Sequence, residues 1–211
     1  MTLGKLSIGL LAATAATVFI VPPGAGPARA EDGSQFVIRG DATKAILEQN
    51  EINIATAEAI SKACIDEATK QGVKVSVAII DQFGEPVYMY RMDGQNKINI
   101  DTAMMKARTV LNTRQPSKAT MNAVLQGRSS ELRQYSFGNF ANSGGLPIVI
   151  NGNQFIGAIG VGGSAPKPPE WSDEICAWRA LSKVIGPQPA LLPDIQPNVR
   201  GTGGANAAPN R

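Results

Sequence analysis

Histidine is missing altogether from this 211-residue chain. That absence removes Ser-His-Asp and Cys-His nucleophile systems and every zinc site built on imidazole. Aromatic residues are few, at 5%, and no Lys/Arg cluster interrupts the sequence. Charge is close to balanced: with Lys5 and Arg29 in the first thirty residues, the rest carries 18 basic against 17 acidic side chains. Neither the basic surface nor the stacking platforms of a nucleic-acid binder are present, so no nucleic-acid partner is expected. There is no internal repeat, and cysteine occurs only at Cys64 and Cys176.

What is there begins with a leader. Lys5 is followed by an almost unbroken apolar stretch from Leu6 to Val21, then by breakers at Pro22, Pro23 and Gly24, then by Ala28-Arg29-Ala30. Charged start, short apolar core and small-x-small site form the layout of a secretory signal peptide. The apolar core falls short of the roughly 20 residues of a spanning helix, and nothing later is longer. The expectation is a signal over 1–30 cleaved after Ala30, no membrane span after cleavage, and a periplasmic or secreted product. At the other end, residues 187–211 are rich in Pro, Gly, Ala and Asn, a composition too poor in apolar surface to offset the entropy of ordering, with Leu191, Leu192 and Ile195 able to tack one stretch onto the domain or a neighbouring subunit. One domain is expected over 31–186. Export makes a Cys64–Cys176 bridge a candidate. Both residues, however, sit on apolar helical stripes, which weighs toward two buried thiols.

Between the ends the hydrophobic period changes several times. Residues 54–71 repeat apolar positions at Ile54, Ala57, Ile60, Cys64 and Ala68, one face of a helix, with Asn53 as cap and Gly72 as stop. Residues 73–81 alternate and are rich in Val and Ile, and 86–92 return after a turn at 82–85, making a hairpin. A helix is expected over 100–112, capped near Asn99 or Asp101, then short helices and loop over 117–140. A second hairpin joins 145–150 to 154–163 through Asn151-Gly152. A last helix over 172–186 opens on Ser172 or Asp173, with acids in its first turn. The order α-ββ-α-ββ-α gives an α+β fold, an antiparallel sheet of two hairpins covered by helices.

Four blocks on this frame resemble the GlcG/HbpS family, whose domain also forms the C-terminal domain of PduO-type proteins. They are VSVAIIDQFGEPVYMYRMDG with its Arg91-Met92-Asp93-Gly94 turn, KARTV at 106–110, GGLPIVINGNQFIGAIGVGG at 144–163, and SDEICAWRAL at 172–181. The resemblance implies a profilin-like sheet, a homo-oligomer, and binding of haem or a related tetrapyrrole, in some members with haem degradation or redox sensing. It also points to Thr109, in the Lys-Ala-x-Thr block, as a haem iron ligand. The chain departs from the pattern in the PKPPEW segment (166–171), the long tail and the lack of histidine. That lack excludes His-ligated haem and leaves Cys, Met and Tyr as the usual axial donors: the two cysteines, Met89, Met92, Met104, Met105, Tyr88, Tyr90 and Tyr135.

Each candidate carries a plainer alternative. Thr109 is also a β-branched residue suited to packing or to bonding the preceding helical turn, and methionines commonly fill cores. Arg91, Lys106 and Arg108 suit propionates or a small carboxylate, or else pair with Asp93 and Asp101. Gly144 and Gly145, with Gly162 and Gly163, could bring backbone N–H groups to a ligand, bring subunits together, or serve as turns. Three functions follow. The first is an exported haem-binding protein that buffers, senses or degrades haem, with a pocket rimmed by Arg91, Lys106 and the Gly144-Gly145 loop. The second is an enzyme or binding protein for a small carboxylated molecule, with Asp81, Asp93 or Glu174 as acid or base. The third is an oligomeric scaffold whose tail recruits a partner.

Overall fold

In a computed structural model the described residues are 50–165 and 170–195. The expected leader, the far tail and most of the PKPPEW segment lie outside them.

Helix α1 (Ile54–Lys70) starts where Asn53 accepts a bond from the Thr56 N–H at 2.9 Å, and it ends before Gly72 at φ +64°. The chain then runs into β1 (Ser76–Asp81) and back along β2 (Pro86–Arg91). Helix α2 (Lys97–Thr113) begins three residues ahead of expectation, with Asn96 at its cap and no side-chain capping bond. Propensity alone gave no start signal there. The irregular stretch holds α3 (Ser117–Leu125) and a 3-10 helix at Ser129–Phe137. Strands β3 (Gly145–Ile150) and β4 (Gln154–Gly162) meet at Asn151 and Gly152, whose φ angles of 50° and 83° both lie in the left-handed region. Ile150 pairs with Gln154 across a three-residue loop, and left-handed residues at its tip suit the twist of the strands. Helix α4 (Asp173–Val184) is capped by Ser172, which accepts from the Ile175 N–H.

The four strands pair antiparallel in the order β2-β1-β4-β3, so the second hairpin joins the first through β4. The expected α+β sheet of two hairpins covered by helices is the architecture found. Alternation along β1 divides the core. Val77 and Ile79 face α1 and α4, packing with Ile60, Cys64 and Leu181. Ala78 and Ile80 face α2, where they meet Ala103, Ala107 and Val110.

The two faces differ in depth. Under α2 the sheet offers Gly145, Ala78, Ala158, Gly160 and Gly162. A methyl group at Gly160 would overlap the Ala103 carbonyl oxygen, and one at Gly162 would stand 2.7 Å from the Asn99 oxygen. Helix α2 therefore lies backbone-to-backbone on β4. On the opposite face larger Val, Ile and Leu side chains hold α1 and α4 farther off.

Cys64 and Cys176 are joined in a disulfide, with Cα atoms 5.2 Å apart. This departs from the two free thiols favoured by their apolar stripes. A buried thiol and a buried bridge occupy the same kind of face, and only the crossing of α1 over α4 distinguishes them. An ion pair from Arg179 to Glu67 at 2.9 Å ties the same two helices. Among the described residues no helix is long and apolar enough to cross a membrane.

Two stability measurements follow. The bridge spans 112 residues, so a Cys64→Ala/Cys176→Ala double variant is expected to lose about 5 kcal/mol in urea unfolding, by the chain-entropy argument. Equal stability of the two proteins would show that the bridge does not constrain the unfolded chain. Gly160→Ala is expected to cost about 3 kcal/mol through overpacking, whereas a loss below half of that would mean α2 can lift from the sheet.

Candidate functional site

Pressing α2 onto β4 buries the middle of the helix, and with it a charge. Lys106 is 3% exposed. Its ammonium donates to the Val161 carbonyl and to Asp173 Oδ2, both at 2.8 Å. The second oxygen of Asp173 accepts from the backbone N–H and hydroxyl of Ser164, and the Ser164 oxygen accepts from the Trp171 indole at 2.8 Å. Lys106 thereby joins α2, β4 and the first turn of α4 through one buried network. Trp171, from the segment that departs from the family pattern, is fully enclosed and closes the network at its far end.

One turn along, Thr109 has no exposed surface. Its hydroxyl donates to the Met105 carbonyl at 2.8 Å and accepts the Phe140 N–H at 2.7 Å, pinning the 138–142 loop to α2. Gly145 donates its N–H to the Ser117 hydroxyl, and a methyl group at Gly144 would come within 2.9 Å of the Lys106 ammonium. Lys106, Thr109, Gly144 and Gly145 are thus brought together, and the contacts between them are those of close packing. Arg108 points outward beside Gly138. Arg91 is exposed and donates to the Gln95 carbonyl. It lies on β2, three strand spacings from β3 and so about 14 Å from the Gly144-Gly145 loop, too far to share a small pocket with it in one chain.

The iron donors are scattered as well. Both cysteines are bridged, Met92 sulfur accepts from the Val75 N–H, and Met104 is buried against the sheet. Met105 and Tyr88 are half-buried, while Met89 and Tyr90 are exposed on the β2 edge. The Tyr135 side chain lies outside what the structure describes. Of the acid-base candidates, Asp81 accepts from the Phe83 and Glu85 N–H groups and so shapes the first turn, and Asp93 is exposed. Glu174 is different.

Two clefts flank the region below α2. The first, of about 520 Å³, lies along the β3 edge. Leu146, Pro147, Val149 and Phe155 form its floor, and Trp178 and Leu181 of α4 one wall. The segment 188–190 closes the other side, held by the Trp178 indole donating to the Pro189 carbonyl and by Gln188 donating to that of Val149. Arg114 stands at the rim, its guanidinium 4.1 Å over the Phe155 ring, in the left-handed backbone conformation that ends α2. It is exposed and makes no ion pair among the described residues. The second cleft, of about 690 Å³, opens at the first turn of α4 and gathers the polar side chains of Lys118, Ser143, Ser164, Asp173 and Glu174 among apolar Met121, Ile175 and Leu191.

Sequence reasoning found Glu174 but missed Lys118 and Arg114. Lys118 is a single lysine in a polar, irregular stretch with no motif around it, and Arg114 marks a helix end that only its backbone conformation reveals. Lys118 is 8% exposed in its side chain and stands 3.4 Å from Glu174, itself 2% exposed. Burial pushes the Glu174 carboxyl above the ordinary carboxylate range, although Lys118 and Ser143 pull the other way. Burial also works against the Lys118 charge, but the bond to Asp194 and the field of Glu174 outweigh it, so its affinity for the proton is raised.

Because the native Glu174 binds its proton more tightly than the unfolded chain does, stability is present at low pH and falls as pH rises through the raised value. Urea midpoints of wild type should therefore decline relative to Glu174→Gln as pH rises through and above the ordinary carboxylate range. Parallel profiles would mean the carboxyl ionises there without penalty.

Residues 52–182 match the family described as "Haem degrading protein HbpS-like". The chain is 35% identical over 119 residues to Protein GlcG of Escherichia coli (strain K12), covering 56% of this chain and 83% of that one. It superimposes on the crystal structure of HbpS with a TM-score of 0.58 at 27% identity, over 71% of this chain and 99% of that one. A PduOC:heme complex shares the fold, with a TM-score of 0.52 at 21% identity over 63% and 94% of the two chains. The chain belongs to the HbpS-like family.

Proposed function

We propose that this HbpS-like protein is an exported haem-binding protein that holds the tetrapyrrole by its flat macrocycle, in the cleft along β3, and buffers it. The observation that carries this reading is the pairing of apolar walls, from Pro147, Val149, Phe155 and Trp178, with one exposed arginine at the rim. A macrocycle needs apolar and aromatic faces, and a propionate needs a cation that can engage it in bidentate fashion. A cleft of about 520 Å³ falls within the size range of small-molecule sites.

The fit extends to the macrocycle and not to the iron. Among the described residues the walls of this cleft carry no Cys, Met or Tyr, and Thr109 is enclosed with its hydroxyl already donating and accepting. Among the described residues, Arg114 is the one charged side chain on the walls of this cleft. Export is supported by the Cys64–Cys176 bridge, since disulfides persist in oxidising compartments, together with the leader layout of the first thirty residues. Self-association is supported by exposed Met89 and Tyr90 on the β2 edge. Sedimentation of wild type and Met89→Glu reads this out, and a single-chain mass for wild type would discard it.

Spectroscopic titration with haem and with metal-free protoporphyrin tests the binding mode. Both should bind saturably with comparable affinity, because the protein grips the ring. Arg114→Glu should weaken both about tenfold, the loss of one charge-assisted contact, while Thr109→Val leaves them unchanged. Saturable binding of haem without protoporphyrin would move the site to an iron ligand and overturn this reading, as would no saturable binding of either.

A further inference from the structure

We propose that the second cleft, between α3 and the first turn of α4, is a binding site for a small carboxylate that also carries a hydrogen-bond donor, and that Asp194 of the chain's own C-terminal segment occupies it in that ligand's place. The inference is independent of the haem reading, since it uses neither that cleft nor its residues.

The cation is built into the fold. Lys118 projects from α3 with 8% of its side chain exposed, and its ammonium lies 2.5 Å from Asp194, 2.9 Å from the Leu192 carbonyl and 3.4 Å from Glu174. Its partner Asp194 is 76% exposed and belongs to a stretch without regular secondary structure. An enclosed lysine paired with a carboxylate on a peripheral segment is the arrangement expected where a free carboxylate can take the segment's place. Desolvating Lys118 fully would be costly without such an anion.

The second observation is on the opposite wall. Glu174 is 2% exposed, and its Oε1 accepts no hydrogen bond, although buried carboxyl oxygens are ordinarily satisfied. Asp194 answers the Lys118 charge but offers no donor to Glu174. A ligand with a carboxylate at one end and a hydroxyl or ammonium near the other would meet both needs at once. The cleft's volume of about 690 Å³ leaves room beyond an aspartate side chain. Its serines supply further polar contacts, and Met121 and Ile175 an apolar patch for a short carbon skeleton.

Calorimetric titration of the full chain with L-lactate, with propionate and with uncharged lactamide decides the matter. L-Lactate should bind saturably, propionate more weakly for want of the hydroxyl, and lactamide not at all. Asp194→Asn removes the competing carboxylate, so lactate should bind about tenfold more tightly, the gain from freeing an otherwise occupied state. Lys118→Met in the Asp194→Asn chain should abolish binding, while Lys118→Arg keeps the charge and retains it. If Lys118→Met does not fold, the comparison of wild type with Asp194→Asn and of lactate with lactamide still decides. No saturable heat in Asp194→Asn, equal affinity with and without Asp194, or equal binding of lactamide would each overturn the proposal.

Discussion

Helix α2 rests on β4 with no side chain between them at Gly160 and Gly162, and the rest of the molecule is arranged around that contact. The approach carries Lys106 into the protein, where it can reach the Val161 carbonyl only because the helix backbone lies so low. A buried ammonium requires an anion, and Asp173 supplies it from the first turn of α4. The start of α4 is thereby held in place, and with it Ser164, Trp171 and the neighbouring Glu174. A larger residue at Gly160 would raise the helix, lengthen the lysine bonds and release the end of α4.

This arrangement separates structural charge from available charge. Lys106 and Asp173 satisfy one another, and Thr109 satisfies the Phe140 amide. The family resemblance points to Thr109 as a ligand, and its charge makes Lys106 a cation for a carboxylate; in the fold both side chains also join layers. The charges outside that network stand at the margins: Arg114, exposed where α2 ends, and Lys118 and Glu174, enclosed together beside the second cleft where α3 and α4 begin. One segment, 188–194, walls both clefts, contributing residues 188–190 to the first and 191–194 to the second. Composition suggested that this stretch would lack fixed structure. Through residue 195 it lacks helix and strand, but bonds to Trp178, Val149 and Lys118 seat it against the domain.

Local pattern made the elements legible in the sequence. Alternation over 73–81, the Asn151-Gly152 turn, the Asn53 cap and the Ser172 cap each depend on a few neighbouring residues, so each could be read directly. The start of α2 was missed because Asn96 caps it without a side-chain bond. The site was less legible because its members come from distant parts of the chain: Lys118 meets Glu174 and Asp194 across 56 and 76 positions, and Arg114 meets Phe155 across the sheet edge.

By itself, then, the sequence determined the order of helices and strands, the family, and the absence of imidazole chemistry, since these follow from residue types and short-range periods. Tertiary structure alone decided that Cys64 and Cys176 are bridged, that Lys106 and Thr109 bond within the fold, and that Lys118 and Glu174 are buried together while Arg114 stays exposed. The physical reason is that burial and pairing depend on what crosses overhead. A lysine on a helix is a free cation or a buried strut according to how near the next layer lies, and here that distance is set by glycines more than fifty residues away.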